Sequence, residues 1–133
     1  MKVNALDHVN IITDDLSGTA RFFTEIFDLD LRDGPEPFPP ELVQWLYDEN
    51  GRAIFHINAR EMQQAFDRET PAGKTTGAIH HVALDCSDHL RFIERLETHS
   101  IEYRLNDIPS IQLKQVFFCE PNGVLLELNF RGE

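Results

Sequence analysis

"QWLYDENGRAIFHIN" (residues 44–58) and "QVFFCEPNGVLLELN" (residues 115–129) are one pattern written twice. Each reads as a strand, an Asn-Gly turn and a second strand. Asn50–Gly51 and Asn122–Gly123 supply the positive φ angles that tight hairpin turns require. The second strands share a frame of two apolar residues, a polar one, an apolar one and Asn: "IFHIN" and "LLELN". His56 therefore occupies the same place in the first copy that Glu127 occupies in the second. Period-2 alternation turns each of them away from its apolar neighbours, Phe55 and Ile57 or Leu126 and Leu128.

The repetition continues upstream. "LDHVNII" (6–12) matches "IHHVALD" (79–85), so that His8 lies over His81 and Val9 over Val82. A segment of helical periodicity follows each: Ala20, Phe23, Ile26 and Phe27 in the first, Leu90, Ile93 and Leu96 in the second. Asp15 or Ser17, and Ser87 or Asp88, are the candidate N-caps. "LDLRDG" and "YRLND" supply the middle strands. Each half thus reads βαβββ, module 1 over about 1–60 and module 2 over about 78–133. A connector over about 61–77 contains Pro71, Gly73 and Gly77. A half of this size is marginal alone. The expected fold is a single α+β domain over 1–133: two tandem βαβββ modules forming a curved, mostly antiparallel sheet with helices outside.

The 133 residues carry a formal net charge of −11. That sign disfavours nucleic acid and anionic membrane surfaces as partners. No apolar run is long enough to cross a bilayer, and "MKVNALDHVN" lacks the apolar stretch of a signal peptide. Cys86 and Cys119 form no CxxC pair and read as reduced, buried thiols. The expectation is a cytoplasmic protein with a small-molecule substrate.

With the helices on the apolar sides, His8, His56, His81 and Glu127 all point into the concavity of the sheet. Imidazoles with one carboxylate suit a divalent Zn, Ni, Co, Fe or Mn ion and provide poorly for Ca. His80 is an alternative to His81, but alignment with His8 favours His81 and sets His80 over Asp7. His89 and His99 read as helix-surface or helix-end residues, and Phe22, Phe23 and Phe27 as helix–sheet packing. Phe38 and Trp45 bracket the proline-rich loop "PEPFPPELVQW"; with Arg60 they are weak candidates for substrate binding. Arg21, Lys114 and Gln115 are weaker ones, as contacts for an anionic substrate.

These motifs, with "CEPNGVLLELNF", resemble the vicinal oxygen chelate superfamily over about 6–130. That superfamily includes glyoxalase I, extradiol dioxygenases, fosfomycin-resistance enzymes and bleomycin-binding proteins. The resemblance places His8, His56, His81 and Glu127 at the family's metal-ligand positions. It implies substrates that chelate the ion through two oxygens, with an oxyanion or enolate stabilised as it forms. A glyoxalase-like isomerase or lyase would use Glu127 and His56 as catalytic groups. His56 stands where glyoxalase I has a carboxylate, which speaks against a glutathione hemithioacetal as substrate. An Fe(II) extradiol-type dioxygenase would use His8, His81 and Glu127, but Phe117 stands where those enzymes have a tyrosine. A non-catalytic antibiotic-binding protein is the third reading. The resemblance also implies a homodimer, often with each site shared between chains.

Overall fold

The computed structural model describes residues 1–64, 68, 72–73 and 75–132. The middle of the expected connector, including Pro71, and the last residue lie outside the described residues. The chain divides into two compact units, Met1–Pro71 and Ala72–Glu133.

In the first unit the strands are β1 (Val9–Thr13), β2 (Asp30–Asp33), β3 (Val43–Tyr47) and β4 (Ala53–Ala59). Helix α1 (Leu16–Phe27) connects β1 to β2. The sheet order is β1-β4-β3-β2, with β1 parallel to β4 and the other pairings antiparallel. In the second unit β5 (Val82–Cys86), α2 (His89–Thr98), β6 (Arg104–Ile108), β7 (Leu113–Cys119) and β8 (Leu125–Arg131) repeat that plan. Its order is β5-β8-β7-β6, with the same parallel and antiparallel pairings. The βαβββ repeat is thus the observed architecture, as two four-stranded mixed sheets.

Helix α1 forms where its apolar positions share one stripe. Ala20, Phe23 and Ile26 are buried, and the Phe23 ring lies 4.7 Å from that of Phe55 on β4. Burial of each large side chain of this kind is worth about 1.5–3 kcal/mol. Asp15 caps the helix by accepting from the Gly18 N–H at 2.9 Å. Asp28, in the left-handed region at φ 54°, ends it. In the second unit Phe92 of α2 meets Phe130 of β8 at 5.6 Å, above buried Leu96, Leu126 and Leu128. Both helices therefore take the odd-numbered or even-numbered apolar side of the last strand, which leaves His56 and Glu127 on the opposite faces.

Both Asn-Gly turns are built alike. Gly51 and Gly123 have φ of 75° and 87°, and each turn is closed by an acid two residues before its Asn. Asp48 Oδ1 accepts from the N–H groups of Asn50 and Arg52, and Glu120 Oε1 accepts from those of Asn122 and Val124.

Some expectations need correction. The first strands begin at Val9 and Val82 rather than at 6 and 79, because their ladders start at Val9↔Phe55 and Val82↔Leu126. Leu6 and Ile79, beyond those ladders, are largely exposed. Leu90 is also exposed; Phe92 takes its expected packing role. Asp88 is the N-cap residue of α2 but makes no side-chain cap hydrogen bond. The cysteines are free, as expected, but Cys86 is half-buried and Cys119 exposed.

Candidate metal centre

In the first unit, the strand register sets Trp45 of β3 directly opposite His56 of β4. The two rings are stacked, with centroids 3.9 Å apart and planes 5° from parallel. His8, one residue before β1, stacks on His56 at 3.8 Å and 14°. His56 thus lies in a pile of three rings. Burial and the nearby His8 pull its pKa down to about 4, so it stays neutral, the form in which imidazole binds metals. His8 Nδ1 is 2.6 Å from Asp7 Oδ2, which leaves Nε2 as its outward nitrogen. Asn58 shares the His56 face; its amide donates to Gln64 Oε1 at 3.2 Å, and Asn10 reaches the same oxygen.

In the second unit, His81 Nε2 lies 3.1 Å from Glu127 Oε2. Glu127 is largely buried and its other oxygen, Oε1, accepts from Gln115 and Asn129, each at 2.8 Å. Gln115 is itself positioned by Asn106, which donates to its Oε1 at 2.7 Å. His81 Nδ1 faces His80 Nδ1 at 3.0 Å. The residue before each of the paired histidines therefore holds its Nδ1, the arrangement by which an outer group orients a metal-ligating ring.

Each unit brings together two of the expected ligands. Among the described residues, no group of three or more His, Cys, Asp or Glu side chains is placed to hold a metal ion. The residues nonetheless fit one in kind. Imidazoles and a single carboxylate match a borderline divalent ion. The 3.1 Å separation of His81 Nε2 and Glu127 Oε2 is that of two donors on one ion with bonds of about 2.0–2.2 Å. The His8–His56 stack fits less directly. In-plane lone pairs of nearly parallel rings do not converge, so one ring must turn before both bind the same ion.

The other sequence candidates fall elsewhere. Arg60 is ion-paired with Asp14, just as Arg131, its counterpart in the repeat, is paired with Asp85. Phe38 is exposed in the proline-rich loop. Arg21 lines a cavity of about 600 Å³ with Leu16, Ala20, Leu31, Leu42 and Ala59, on the α1 side of the sheet and away from His56. Lys114 stands opposite Phe130, on the α2 side. His89 packs its ring against Phe130 at 5.1 Å, and His99 is the C-cap of α2. Gln115 is on the Glu127 face, but as its hydrogen-bond partner. Asn129 was not singled out by sequence reasoning, though its place in the repeated frame was a usable signal.

The family model of the Glyoxalase/Bleomycin resistance protein/Dioxygenase superfamily matches residues 5–128, and the chain belongs to that superfamily. Solved structures share its fold. A glyoxalase/dioxygenase from Nostoc punctiforme is 18% identical, with 97% of this chain and 92% of that one covered and a TM-score of 0.71. A lactoylglutathione lyase from Agrobacterium tumefaciens is 17% identical over 98% and 96% of the two chains, with a TM-score of 0.67. The genomically encoded fosfomycin resistance protein, FosX, of Listeria monocytogenes is 16% identical over 97% and 94%, with a TM-score of 0.68. No curated protein matches the chain in sequence. Among the described residues, no helix is long and apolar enough to cross a membrane.

Proposed function

We propose that the protein is a divalent-metal-dependent enzyme, a glyoxalase-like isomerase or lyase acting on a small substrate with two vicinal oxygens. His8, His56, His81 and Glu127 would hold the ion. The observation that carries this reading is the divided carboxylate of Glu127. Its Oε1 is fixed by Gln115 and Asn129 while Oε2 lies beside His81 Nε2. One oxygen is anchored, and the other, when displaced from the ion, would take a proton from a carbon next to a carbonyl and return it to the neighbouring carbon. A bound divalent ion would supply Lewis-acid polarisation of the two substrate oxygens. His81, oriented through His80, keeps Oε2 in register with the substrate. Phe117, directly opposite Glu127, offers no hydroxyl, which weighs against the dioxygenase reading.

Each unit holds two ligands, so a complete set needs one unit of each kind. By resemblance to the superfamily, the reading includes a homodimer in which the first unit of one chain and the second of its partner complete each site. Mixing His8→Ala with Glu127→Ala protein then restores one intact site per heterodimer, whereas sites within single chains regain none.

The proton-transfer reading is tested by incubating the Zn(II)- or Ni(II)-loaded protein with α-hydroxy ketones in D₂O. Deuterium entry at the carbon beside the carbonyl, lost in Glu127→Gln, is expected. A fully metal-loaded protein that exchanges no such proton across a panel of hydroxy ketones overturns it.

A further inference from the structure

Strand register in the second unit lines up side chains across the face that carries Glu127. Glu127 on β8 is directly opposite Phe117 on β7, and Phe117 is directly opposite Arg104 on β6. Residues directly opposite in antiparallel strands project to the same face. The adjacent row agrees: Asn106, two residues beyond Arg104, bonds Gln115, which bonds Glu127. The row therefore runs from a carboxylate, past a phenyl ring, to a guanidinium on the edge strand.

Phe117 is half-buried and Arg104 exposed. Among the described residues the Arg104 side chain has no hydrogen-bond or ion-pair partner, in a chain with 23 acidic residues against 12 basic ones. The first unit contains the same row, His56, Trp45 and Arg32. There the arginine is engaged: Arg32 is paired with Asp30 at 2.7 Å and lies over the Tyr47 ring at 4.4 Å. The repeat thus places an arginine twice beside an aromatic ring and satisfies it once.

We propose that Glu127, Phe117 and Arg104 form a substrate-binding strip, and that the substrate is a flat, aryl-type molecule with a carboxylate at the end away from its chelating oxygens. This rests on the chelating site proposed above and adds the substrate class. Adjacent strands are about 4.8 Å apart, so two strand spacings put Arg104 about 10 Å from Glu127, backbone to backbone. That is the span of an aromatic ring with a short arm at each end. Phe117 offers the ring a stacking or edge contact. The planar guanidinium grips a carboxylate through two parallel hydrogen bonds, which a lysine in its place does not reproduce.

Two probes test it: benzohydroxamic acid, which chelates through two oxygens, and its 4-carboxy derivative, each titrated calorimetrically into Zn(II)-loaded protein. The carboxylate should tighten binding by roughly three- to tenfold, the range for a charged hydrogen-bonded pair that keeps contact with solvent. Arg104→Gln should remove that difference and leave benzohydroxamate affinity unchanged, and Arg104→Lys should recover only part of it. Phe117→Ala should weaken both probes. Equal binding of the two probes by the unaltered protein, or an equal loss for both in Arg104→Gln, overturns the strip while leaving the chelating site in place. Failure of both probes to bind a metal-loaded protein overturns the chelating site and the strip with it.

Discussion

His8 and His56 lie face to face, their ring centroids 3.8 Å apart and their planes 14° from parallel. Trp45 covers the other face of His56, and it is the only tryptophan in the chain. Because parallel rings cannot aim two lone pairs at one ion, the proposed binding of one ion by both histidines would disturb this pile. Trp45 pins His56 from the sheet side, whereas His8 precedes its strand and is the freer ring. Zn(II) added to chelator-stripped protein should therefore change Trp45 emission in proportion to occupancy. The His8→Ala variant should start from a different emission and show no such change. An unchanged spectrum in protein that binds metal by calorimetry would contradict the ring movement.

The carboxylate side of the centre should depend on its amide partners. Gln115→Leu removes one of the hydrogen bonds that anchor Glu127 Oε1, and the expected loss of metal affinity is about 10- to 100-fold. Glu127→Ala and His81→Ala should each lose more. Calorimetric titration of the metal-free variants measures all three, with far-ultraviolet circular dichroism to verify that the fold is retained.

His56 gives the metal-free protein a pH dependence of defined sign. Its pKa falls from 6.5 to about 4 on folding, chiefly through burial. The unfolded chain thus binds a proton that the folded chain refuses between those values, and stability drops as the pH is lowered from 6.5 towards 4. The slope is at most about 1.4 kcal/mol per pH unit, and partial solvent exposure reduces it. Thermal melts at pH 7 and pH 5 should show a larger fall in Tm for the unaltered protein than for His56→Asn. Equal falls would remove His56 as the cause.

The second hairpin turn should be the more fragile to loss of its acid. Glu120 is 2% exposed and accepts from the Asn122 and Val124 N–H groups and from the Asn122 side chain. Glu120→Ala leaves those donors without their acceptor, at a cost of about 2–3 kcal/mol. Asp48→Ala, at the equivalent but less buried place, should cost less. Urea denaturation of the two variants gives the comparison directly.

Much of this was legible in the chain itself. The Asn-Gly turns, the alternation in "AIFHINA" and "LLELN", and the helical stripe of Phe23 and Ile26 are local signals, and each is obeyed because backbone geometry and burial pull the same way. The duplicated frame alone sets His8 against His81 and His56 against Glu127. Strand beginnings were less legible. His8 and His81 fall just outside β1 and β5, since a strand starts where its partner's ladder starts, and that partner is some 45 residues away in sequence. Nor does the sequence say which neighbour touches which ligand. Trp45 on His56 and Gln115 on Glu127 are cross-strand relations set by register, as is the line from Glu127 through Phe117 to Arg104. Composition and spacing determine the kinds of groups a face will carry. Only the pairing of distant strands decides which of them meet, because side-chain contact across a sheet depends on register and a shift of one residue would turn every one of them to the other face.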